Sequence, residues 1–395
     1  MSQDNLIAEI ANDKIRYIIY THNEKSELEI LSKKIFENTG IKKGKILDFD
    51  YTSKKINDDL KNLEKESDKT FNNISLVINE PEISCTNISG FKKLNGSKVE
   101  KRDLEYILNE AQISISQNQQ NSSILHIINS NFILDKIQKN KVPLNLYGNH
   151  LSLHMTFISL PKNNLKNIKA LFDSSDLKID RIISKPLACS LNLLSKNKKN
   201  KNFFFINFDK ECSSISLFED SSLVFTKTFP FGTNSIINDI SKLCSLNENE
   251  IRLIIKQIDF NNISSRKSYI DKKLFIESKF KKLTTLHIKE IINARVIEMV
   301  DYIFNKNKNL TYVNKKIFNI DVFFEDKEVL DCLGKIFSSN FKVDNIKTQI
   351  ELLHLDDFFA LSGAAELINK GWDKEAIPLN IKKKSIITRF FERFF

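Results

Sequence analysis

The sequence predicts an α/β protein made of two similar halves, and three observations support this prediction. At 395 residues the chain is longer than one small hydrophobic core usually serves, so two or more compact lobes are expected. Segments with the two-residue period of β-strands alternate with segments of helical period. A pair of strands followed by a helix occurs twice, near the N-terminus and again after residue 200. This repetition indicates two halves of the same architecture.

The first half opens with a predicted hairpin, residues 6–20, in which apolar residues alternate on either side of a turn at Asn12-Asp13. The later elements are assigned from their apolar period and from the proline and polar residues that end them. In order they are a helix over 53–69, a strand over 74–81, a helix over 99–112, strands over 123–134 and 150–160, and a helix over 162–176.

The second half repeats the opening theme with a longer and more apolar hairpin over residues 203–232. Helical patterns dominate residues 234–305, a strand is predicted over 317–325, and helices close the body.

Composition excludes several classes of protein. The five cysteines are scattered and never form a CxxC pair, which argues against a disulfide framework and against a zinc site. His150 and His154 fall on a strand, where residues four apart are about 13 Å apart, too far for one metal ion. The N-terminal residues lack the basic and apolar regions of a signal peptide, and no apolar run reaches the 18 residues of a membrane span. We therefore expect a location in the cytosol or on the cytosolic side of a membrane.

The net charge of +10 is the usual signature of a nucleic-acid partner, but here it has a simpler explanation. The composition is rich in Lys, Asn, Ile and Phe, which A/T-rich codons encode, and no arginine-rich stripe or RNA-binding signature occurs. We therefore predict no nucleic-acid partner.

The last fourteen residues, KKKSIITRFFERFF, form a predicted amphipathic helix. At 100° per residue all the large apolar side chains fall within one half-turn. They are Ile386, Ile387, Phe390, Phe391, Phe394 and Phe395. The cations expected to meet an anionic membrane surface are Lys382, Lys383, Lys384, Arg389 and Arg393. The segment is too short to span a bilayer but long enough to lie in its interface. The alternative is a helix that docks on the protein's own core.

Six segments, in order, resemble the FtsA family of bacterial cell-division proteins. They are residues 40–60, 124–135, 146–159, 177–194, 227–241 and 288–304, and the basic amphipathic end resembles the family's membrane-targeting helix. The resemblance implies an actin-like, two-lobed fold of the actin, Hsp70 and sugar-kinase type, with a subdomain that is particular to the family.

On this resemblance the chain divides into two lobes, each with an added subdomain. The implied ranges are 1–80 and 161–199 for the core of lobe 1, 81–160 for the inserted subdomain, 200–240 and 306–371 for the core of lobe 2, 241–305 for its smaller subdomain, 372–381 for a linker, and 382–395 for the membrane helix.

Actin-like ATPases hold nucleotide phosphates between two hairpins, each with an acidic residue for magnesium and glycines that let backbone N–H groups approach. The first family hairpin is roughly D-I-G-T-S-K, where this chain has Glu9 to Lys14; the second is D-I-G-G-G-T-T, where it has Asn207 to Ser213. The glycine pair on the adenosine side is replaced by residues 324–327. The residues that could retain a nucleotide role are Glu9, Lys14, Asn207 and Gly232.

The resemblance therefore leaves binding of ATP with Mg²⁺ open, but the loss of every loop glycine predicts that hydrolysis is lost. The alternative interpretation of Glu9 and Lys14 is an ordinary solvated pair on a hairpin. No catalytic residue and no metal site is predicted.

The FtsA resemblance implies a membrane adaptor that self-associates into filaments and recruits the tubulin-like polymer protein FtsZ to the inner face of the cytoplasmic membrane, at the division site. The FtsZ C-terminal peptide is expected on residues 241–305, with Lys289 and Arg295 as candidate contacts. An ion pair between Arg295 and Glu298 would explain that arginine equally well, and the apolar stripe of the same helix is expected to be core. Two alternatives remain: an active actin-like ATPase or sugar kinase, and a pilus-assembly adaptor of the actin-like type.

Overall fold

The computed structural model describes residues 4–22, 28–139, 141–173, 175–196, 201–258, 260, 268–313, 318–342 and 349–378. The chain forms two compact units. Unit 1 consists of residues 1–202, 216–228 and 357–395, and unit 2 consists of residues 203–215 and 229–356.

The elements follow one another in the alternating order that the sequence predicts. Those before residue 200 are β1 (Asn5–Ile10), β2 (Lys14–His22), β3 (Leu28–Glu37), β4 (Ile41–Lys42), β5 (Lys45–Ile46), α1 (Phe49–Ser67), β6 (Asn73–Ile78), β7 (Ser84–Lys93), α2 (Lys101–Asn118), β8 (Ser122–Leu134), β9 (Ile137–Lys139), β10 (His150–Pro161), α3 (Lys162–Asp173), β11 (Lys178–Ser184) and α4 (Lys185–Lys196). Those after it are β12 (Phe203–Phe208), β13 (Ser213–Glu219), β14 (Ser222–Phe229), α5 (Asn234–Cys244), α6 (Glu248–Gln257), α7 (Thr285–Val300), β15 (Asn319–Phe324), α8 (Lys327–Asn340), β16 (Ile350–His354), α9 (Phe359–Lys370) and β17 (Glu375–Pro378).

The first sheet of unit 1 has the strand order β11–β6–β1–β2–β3. The β1–β2 hairpin is antiparallel, whereas β6 runs parallel to both β1 and β11. Parallel strands need cover on both faces, and β6 is accordingly an apolar run whose last five residues are all buried. This sheet carries the hairpin that the sequence analysis compared with the first phosphate-binding hairpin.

The second sheet of unit 1 has the order β17–β8–β10–β7, with α2 packed against β7. Its core consists of alternating residues of β10, among them Leu151, Leu153, Met155 and Phe157, together with the apolar face of α2. The edge strand β17 comes from the far end of the chain and pairs antiparallel with β8. The predicted linker over residues 372–381 is therefore wrong for Glu375–Pro378. A four-residue strand has too short a pattern to be told from a loop.

Unit 2 is organised around β12, which pairs in parallel with β15, and β15 pairs in parallel with β16. Within unit 2 the strands follow the order β12–β15–β16. Its core is unusually aromatic: the ring of Phe208 lies 4.7 Å from that of Phe337, and the ring of Phe204 lies 5.1 Å from that of Phe304. All six residues of β12 are buried, as expected for a central strand.

The first predicted hairpin and the main predicted helices are present, whereas residues 203–232, predicted as one hairpin, form the three strands β12, β13 and β14. Strands β3, β7, β11 and β16 and helix α4 were not assigned as elements from the sequence. The domain boundaries stay predictions, although α9, which the sequence placed in lobe 2, belongs to unit 1. The C-terminal segment 382–395 lies outside the described residues.

Candidate functional site

The first hairpin of unit 1 turns at Asn12-Asp13 without the glycine of the family pattern. Its turn is closed by a hydrogen bond from the Ala11 N–H to the Lys14 carbonyl oxygen, 3.0 Å. The side chain of Asn12 accepts a further hydrogen bond from the Gly44 N–H, 2.9 Å. Bonds within the protein therefore brace this loop from two sides.

Glu9, which stands where the family has its first aspartate, is buried, with 1% of its surface exposed. Its carboxylate lies 3.0 Å from the Lys185 ammonium and 3.6 Å from the Arg16 guanidinium. Both cations are themselves buried, and Arg16 also binds Asp357 through Nε and Nη2 at 3.1 and 2.9 Å. The interpretation of Glu9 as a solvated side chain is therefore wrong. Two protein cations neutralise the carboxylate that a magnesium ion would need.

Lys14 lies at the start of β2 and is only partly exposed. In the sheet it pairs with Glu37, whereas Glu9 pairs with Arg16. Among the described residues no ion pair joins Lys14 to Glu9, so the structure does not bring these two predicted site residues together.

The second hairpin, in unit 2, holds Asn207 and Asp209 with 1% and 2% of their surfaces exposed. The Asn207 side-chain amide donates to the Asp209 carboxylate at 2.5 Å. The Asp209 N–H donates to the Cys212 carbonyl oxygen, 2.9 Å, and the Lys210 N–H points to the Glu325 carboxylate at 3.4 Å. A phosphate-binding loop must aim such N–H groups at its ligand. Here acceptors of the protein already occupy them.

Gly232 packs against the backbone of this same loop. A Cβ at this position would lie 2.2 Å from the Asp209 carbonyl oxygen, a distance that no side chain tolerates. The next two residues fix the contact, because the N–H groups of Thr233 and Asn234 donate to the carbonyl oxygens of Asp209 and Lys210 at 3.0 and 2.9 Å. The contact accounts for the glycine by close backbone packing within unit 2, with no ligand required.

The segment that replaces the adenosine-side glycines is used to begin a helix. Asp326 caps α8 by accepting hydrogen bonds from the N–H groups of Glu328 and Val329 at 3.0 and 3.3 Å. Its other oxygen lies 3.0 Å from Arg252. This segment thus forms a helix cap and an ion pair, and it does not leave its backbone open for an adenosine.

Taken within each unit, these residues do not fit a magnesium nucleotide. The first hairpin neutralises its acid with lysine and arginine, and the second directs two of its N–H groups to protein oxygens. In the described part of the chain no three metal-binding side chains lie close enough to hold an ion. The arrangement can stabilise the two loops, but it offers no open anion-binding cradle.

The predicted partner residues lie on α7 of unit 2. Arg295 binds Asp239 of α5 at 2.5 Å and Glu298 at 2.6 Å, so the ion pair foreseen as the alternative is present. Lys289 is partly exposed. The apolar stripe of α7, which includes Ile288, Ile292 and Val296, is fully buried and serves as core.

The predicted membrane-binding residues, 382–395, lie outside the described part of the chain. Within that part, no helix combines the length and the apolar character that crossing a bilayer requires.

Two buried charge clusters were not foreseen from the sequence. One is the set of cations around Glu9. The other joins Glu375 of β17 to Arg181 and to His126, whose Nδ1 lies 2.8 Å from the carboxylate. The partners are 194 and 249 residues apart in sequence, and no local spacing signals them.

Comparison with known proteins shows a similarity to FtsA. The model of the SHS2 domain inserted in FtsA matches residues 81–159, which is the segment predicted as an inserted subdomain. The cell division protein FtsA of Buchnera aphidicola subsp. Acyrthosiphon pisum is 24% identical over 385 residues, covering 90% of this chain and 87% of its own. The chain is a relative of FtsA along most of its length. FtsA of Bacillus subtilis is 22% identical over 275 residues, covering 69% of this chain and 62% of its own.

Among solved structures, the PilM-PilN type IV pilus biogenesis complex contains a similar chain, with a TM-score of 0.59 at 8% identity. The similarity covers 90% of this chain and 89% of that chain, and at such low identity it shows the fold alone. The predicted fold is confirmed to this extent: this FtsA relative has the actin-like α/β fold with the FtsA insert.

Proposed function

We propose that this protein is a membrane adaptor of bacterial cell division that does not hydrolyse ATP. The observation that carries the proposal is its relation to FtsA along 90% of the chain, together with the FtsA-type insert at 81–159. The adaptor links FtsZ to the inner face of the cytoplasmic membrane at the division site and self-associates into filaments. The likeness to a pilus-assembly structure is one of fold, and the insert favours division over that alternative.

The loss of hydrolysis is supported by the chemistry of the loops. Lys185 and Arg16 supply the positive charge at Glu9 that a bound magnesium ion would otherwise supply. The ammonium group of Lys185, beside Glu9, also repels a divalent cation. Closure of the second loop by Gly232 and Glu325 leaves no ready cradle for a phosphate. Internal ion pairs and hydrogen bonds therefore stabilise these loops, in the role that a bound nucleotide would have in an active ATPase.

The membrane role is supported by the composition of residues 382–395, which place six large apolar side chains beside five cations and one acid. Cations near an anionic leaflet contribute about 1 kcal/mol each, and the apolar side chains add partial burial. Ordering the segment opposes both terms. One copy should bind reversibly, and an array of linked copies should hold firmly through effective concentration.

The partner site is proposed on residues 241–305, with Arg295 and Lys289 as contacts for the acidic FtsZ C-terminal peptide. Arg295 already binds Asp239 and Glu298, so a peptide carboxylate would have to share the guanidinium with them. Five N–H donors on one guanidinium permit such sharing.

Co-sedimentation with anionic lipid vesicles tests the membrane role. The intact protein should bind, and it should carry FtsZ to the vesicles. Deletion of 382–395, or Phe390→Glu with Phe394→Glu, should abolish vesicle binding and leave the unfolding transition unchanged. Undiminished binding of the truncated protein would disprove the interfacial helix. A collapsed transition would instead show that the segment closes the protein's own core.

Calorimetry with ATP and Mg²⁺ tests the lost nucleotide site. We expect no binding at micromolar concentration and no hydrolysis above a buffer control. Asn207→Asp alone would set a second carboxylate against Asp209, so it should be combined with glycine at 209–211. The combined variant should bind more strongly than one with the glycines alone. Tight binding by the unmodified protein would contradict the proposal.

Titration with the FtsZ C-terminal peptide tests the partner site. Arg295→Gln should weaken binding by about 1–2 kcal/mol if a charged hydrogen bond is lost. Arg102→Gln is the control, because Arg102 also forms an ion pair, with Glu100, but lies outside residues 241–305. Equal affinities of the two variants would place the peptide elsewhere.

A further inference from the structure

Strand β17 is the last described element before the C-terminal segment, and buried charges fix it in place. Glu375 is fully buried and binds the Arg181 guanidinium and His126. The strand pairs with β8 in a defined register, with Glu375 beside Ile128 and Pro378 beside His126. The chain therefore leaves the body of unit 1 from a fixed position.

The register also fixes the direction of exit. Because β17 is antiparallel to β8, it runs toward the first residue of β8, Ser122, which pairs with Pro161 at the start of α3. The Lys162 N–H donates to the Asn121 carbonyl oxygen and its ammonium to the Gln120 carbonyl oxygen, both at 2.7 Å. The N-terminal end of α3 therefore lies at the edge toward which β17 points.

Helix α3 presents a row of lysines there. Lys162, Lys166 and Lys169 recur at i, i+4 and i+7 and fall within about 60° of the helix circumference. Neither Lys166 nor Lys169 forms an ion pair with any residue that the structure describes. Asp173, one turn beyond, is the acid of this helix.

Two acids outside α3 bond to the helix on a side away from this row. Glu80 and Glu82 accept hydrogen bonds from Asn164 at 3.1 Å. Asn164 lies about 160° around the helix from Lys166. Glu82 is itself paired with Lys45 at 2.6 Å.

We propose that the lysine row of α3 is a second contact with anionic lipid headgroups, placed beside the exit of the C-terminal segment. The inference rests on the proposed membrane role. Charge complementarity identifies the occupant, since Lys166 and Lys169 form no ion pair among the described residues and lie on the helix that begins at the end of the sheet toward which β17 runs. Lys382 follows Pro378 by four residues, so at most about 14 Å separates their Cα atoms.

The test compares full-length variants on vesicles of phosphatidylglycerol with phosphatidylcholine and on vesicles of phosphatidylcholine alone. Each lysine near an anionic leaflet contributes a factor of about five, so Lys166→Gln with Lys169→Gln should weaken anionic binding by about 25-fold. Lys61→Gln with Lys65→Gln on α1 is the matched control, because both lysines are exposed and the net charge falls equally. The control should bind as the unmodified protein does.

Equal vesicle affinity of the two double variants would overturn the lipid contact on α3, while vesicle binding by the unmodified protein would leave the proposed function intact. Failure of the unmodified protein to bind would instead overturn the membrane role itself. A Gly–Ser insertion after Pro378 provides a second measurement. It should shrink the penalty of the α3 substitutions, because a longer connection lowers the effective concentration of α3 at the lipid. If the α3 substitutions weaken vesicle binding equally with and without the insertion, then the position at which the chain leaves β17 does not bring α3 to the lipid.

Discussion

Replacing Glu375 by glutamine removes one negative charge from a site where no water can take its place. The side chain is 0% exposed, and Arg181, its main partner, is 3% exposed. The glutamine can still bond to His126, whose Nδ1 lies 2.8 Å from the carboxylate oxygen. The substitution therefore isolates a single effect, which is a buried guanidinium left without a counter-ion.

The expected magnitude follows from that loss. Removing one partner of a buried pair typically lowers the free energy of unfolding by about 3–5 kcal/mol, because the remaining charge stays desolvated. Against a total stability of about 5–15 kcal/mol, this is a large fraction. If Arg181 is changed to Met in the same chain, no buried charge remains. We expect the double variant to lie within about 2 kcal/mol of the unmodified protein.

Urea unfolding followed by circular dichroism measures both quantities. Burial alone would raise the pKa of Glu375, but Arg181 and the hydrogen bond from His126 together lower it to about 2. A carboxylate with a lowered folded pKa stabilises above its unfolded pKa of about 4.3 and loses that contribution as pH falls toward 2. The penalty of Glu375→Gln should thus be full at pH 7 and smaller at pH 3. A loss below about 1 kcal/mol at pH 7, or single-variant losses that add in the double variant, would refute the reasoning.

Three further substitutions have expected outcomes that unfolding experiments can check. Burial raises the pKa of Glu80 to about 7, so its ionised form opposes folding. Between pH 5 and pH 8 the Glu80→Gln variant should therefore be more stable than the unmodified protein by on the order of 2 kcal/mol, and stability profiles that run parallel with pH would argue against this. Glu250 accepts hydrogen bonds from the Ser278 N–H and hydroxyl, and these bonds hold its pKa at about 2 although burial alone would raise it. Glu250→Gln should therefore lower the free energy of unfolding by about 2–4 kcal/mol at pH 7 and by less at pH 3, and an equal loss at the two pH values would contradict the prediction. Gly232→Ala should lower the free energy of unfolding by about 2 kcal/mol or more, because the added Cβ would collide with the Asp209 carbonyl oxygen. An unchanged Tm would show that the loop can move aside.

Local patterns were sufficient for the hairpins and for the main helices. The β1–β2 hairpin was predictable because apolar residues alternate on both sides of Asn12-Asp13, and two turn-forming residues suffice to join antiparallel strands. Helix α1 was predictable because its buried positions, such as Ile56, Leu60 and Leu63, recur at helical spacing. In both cases the signal is contained within the element.

The features that sequence reasoning missed depend on distant residues. Glu9 is buried because Lys185 neutralises it, and nothing near Glu9 in the sequence distinguishes that lysine from the others. For Arg295, the i, i+3 spacing pointed to Glu298, whereas its second partner, Asp239, lies 56 residues away on α5. The missing glycines of the phosphate loops were visible in the sequence, but only the structure identifies the protein groups that take their place.

Strand β17 also bears on how the protein is made. Its carboxylate partner for Arg181 is synthesised 194 residues after that arginine. At about 5–20 residues per second, the ribosome needs roughly 10–40 s to cover this interval. Until then residues 126–128 of β8 lack the strand that pairs with them, and the buried guanidinium of Arg181 lacks its counter-ion. A nascent chain interrupted anywhere before Glu375 therefore exposes a strand edge to chaperones and proteases. Only a chain that has been synthesised as far as Glu375 can close that edge.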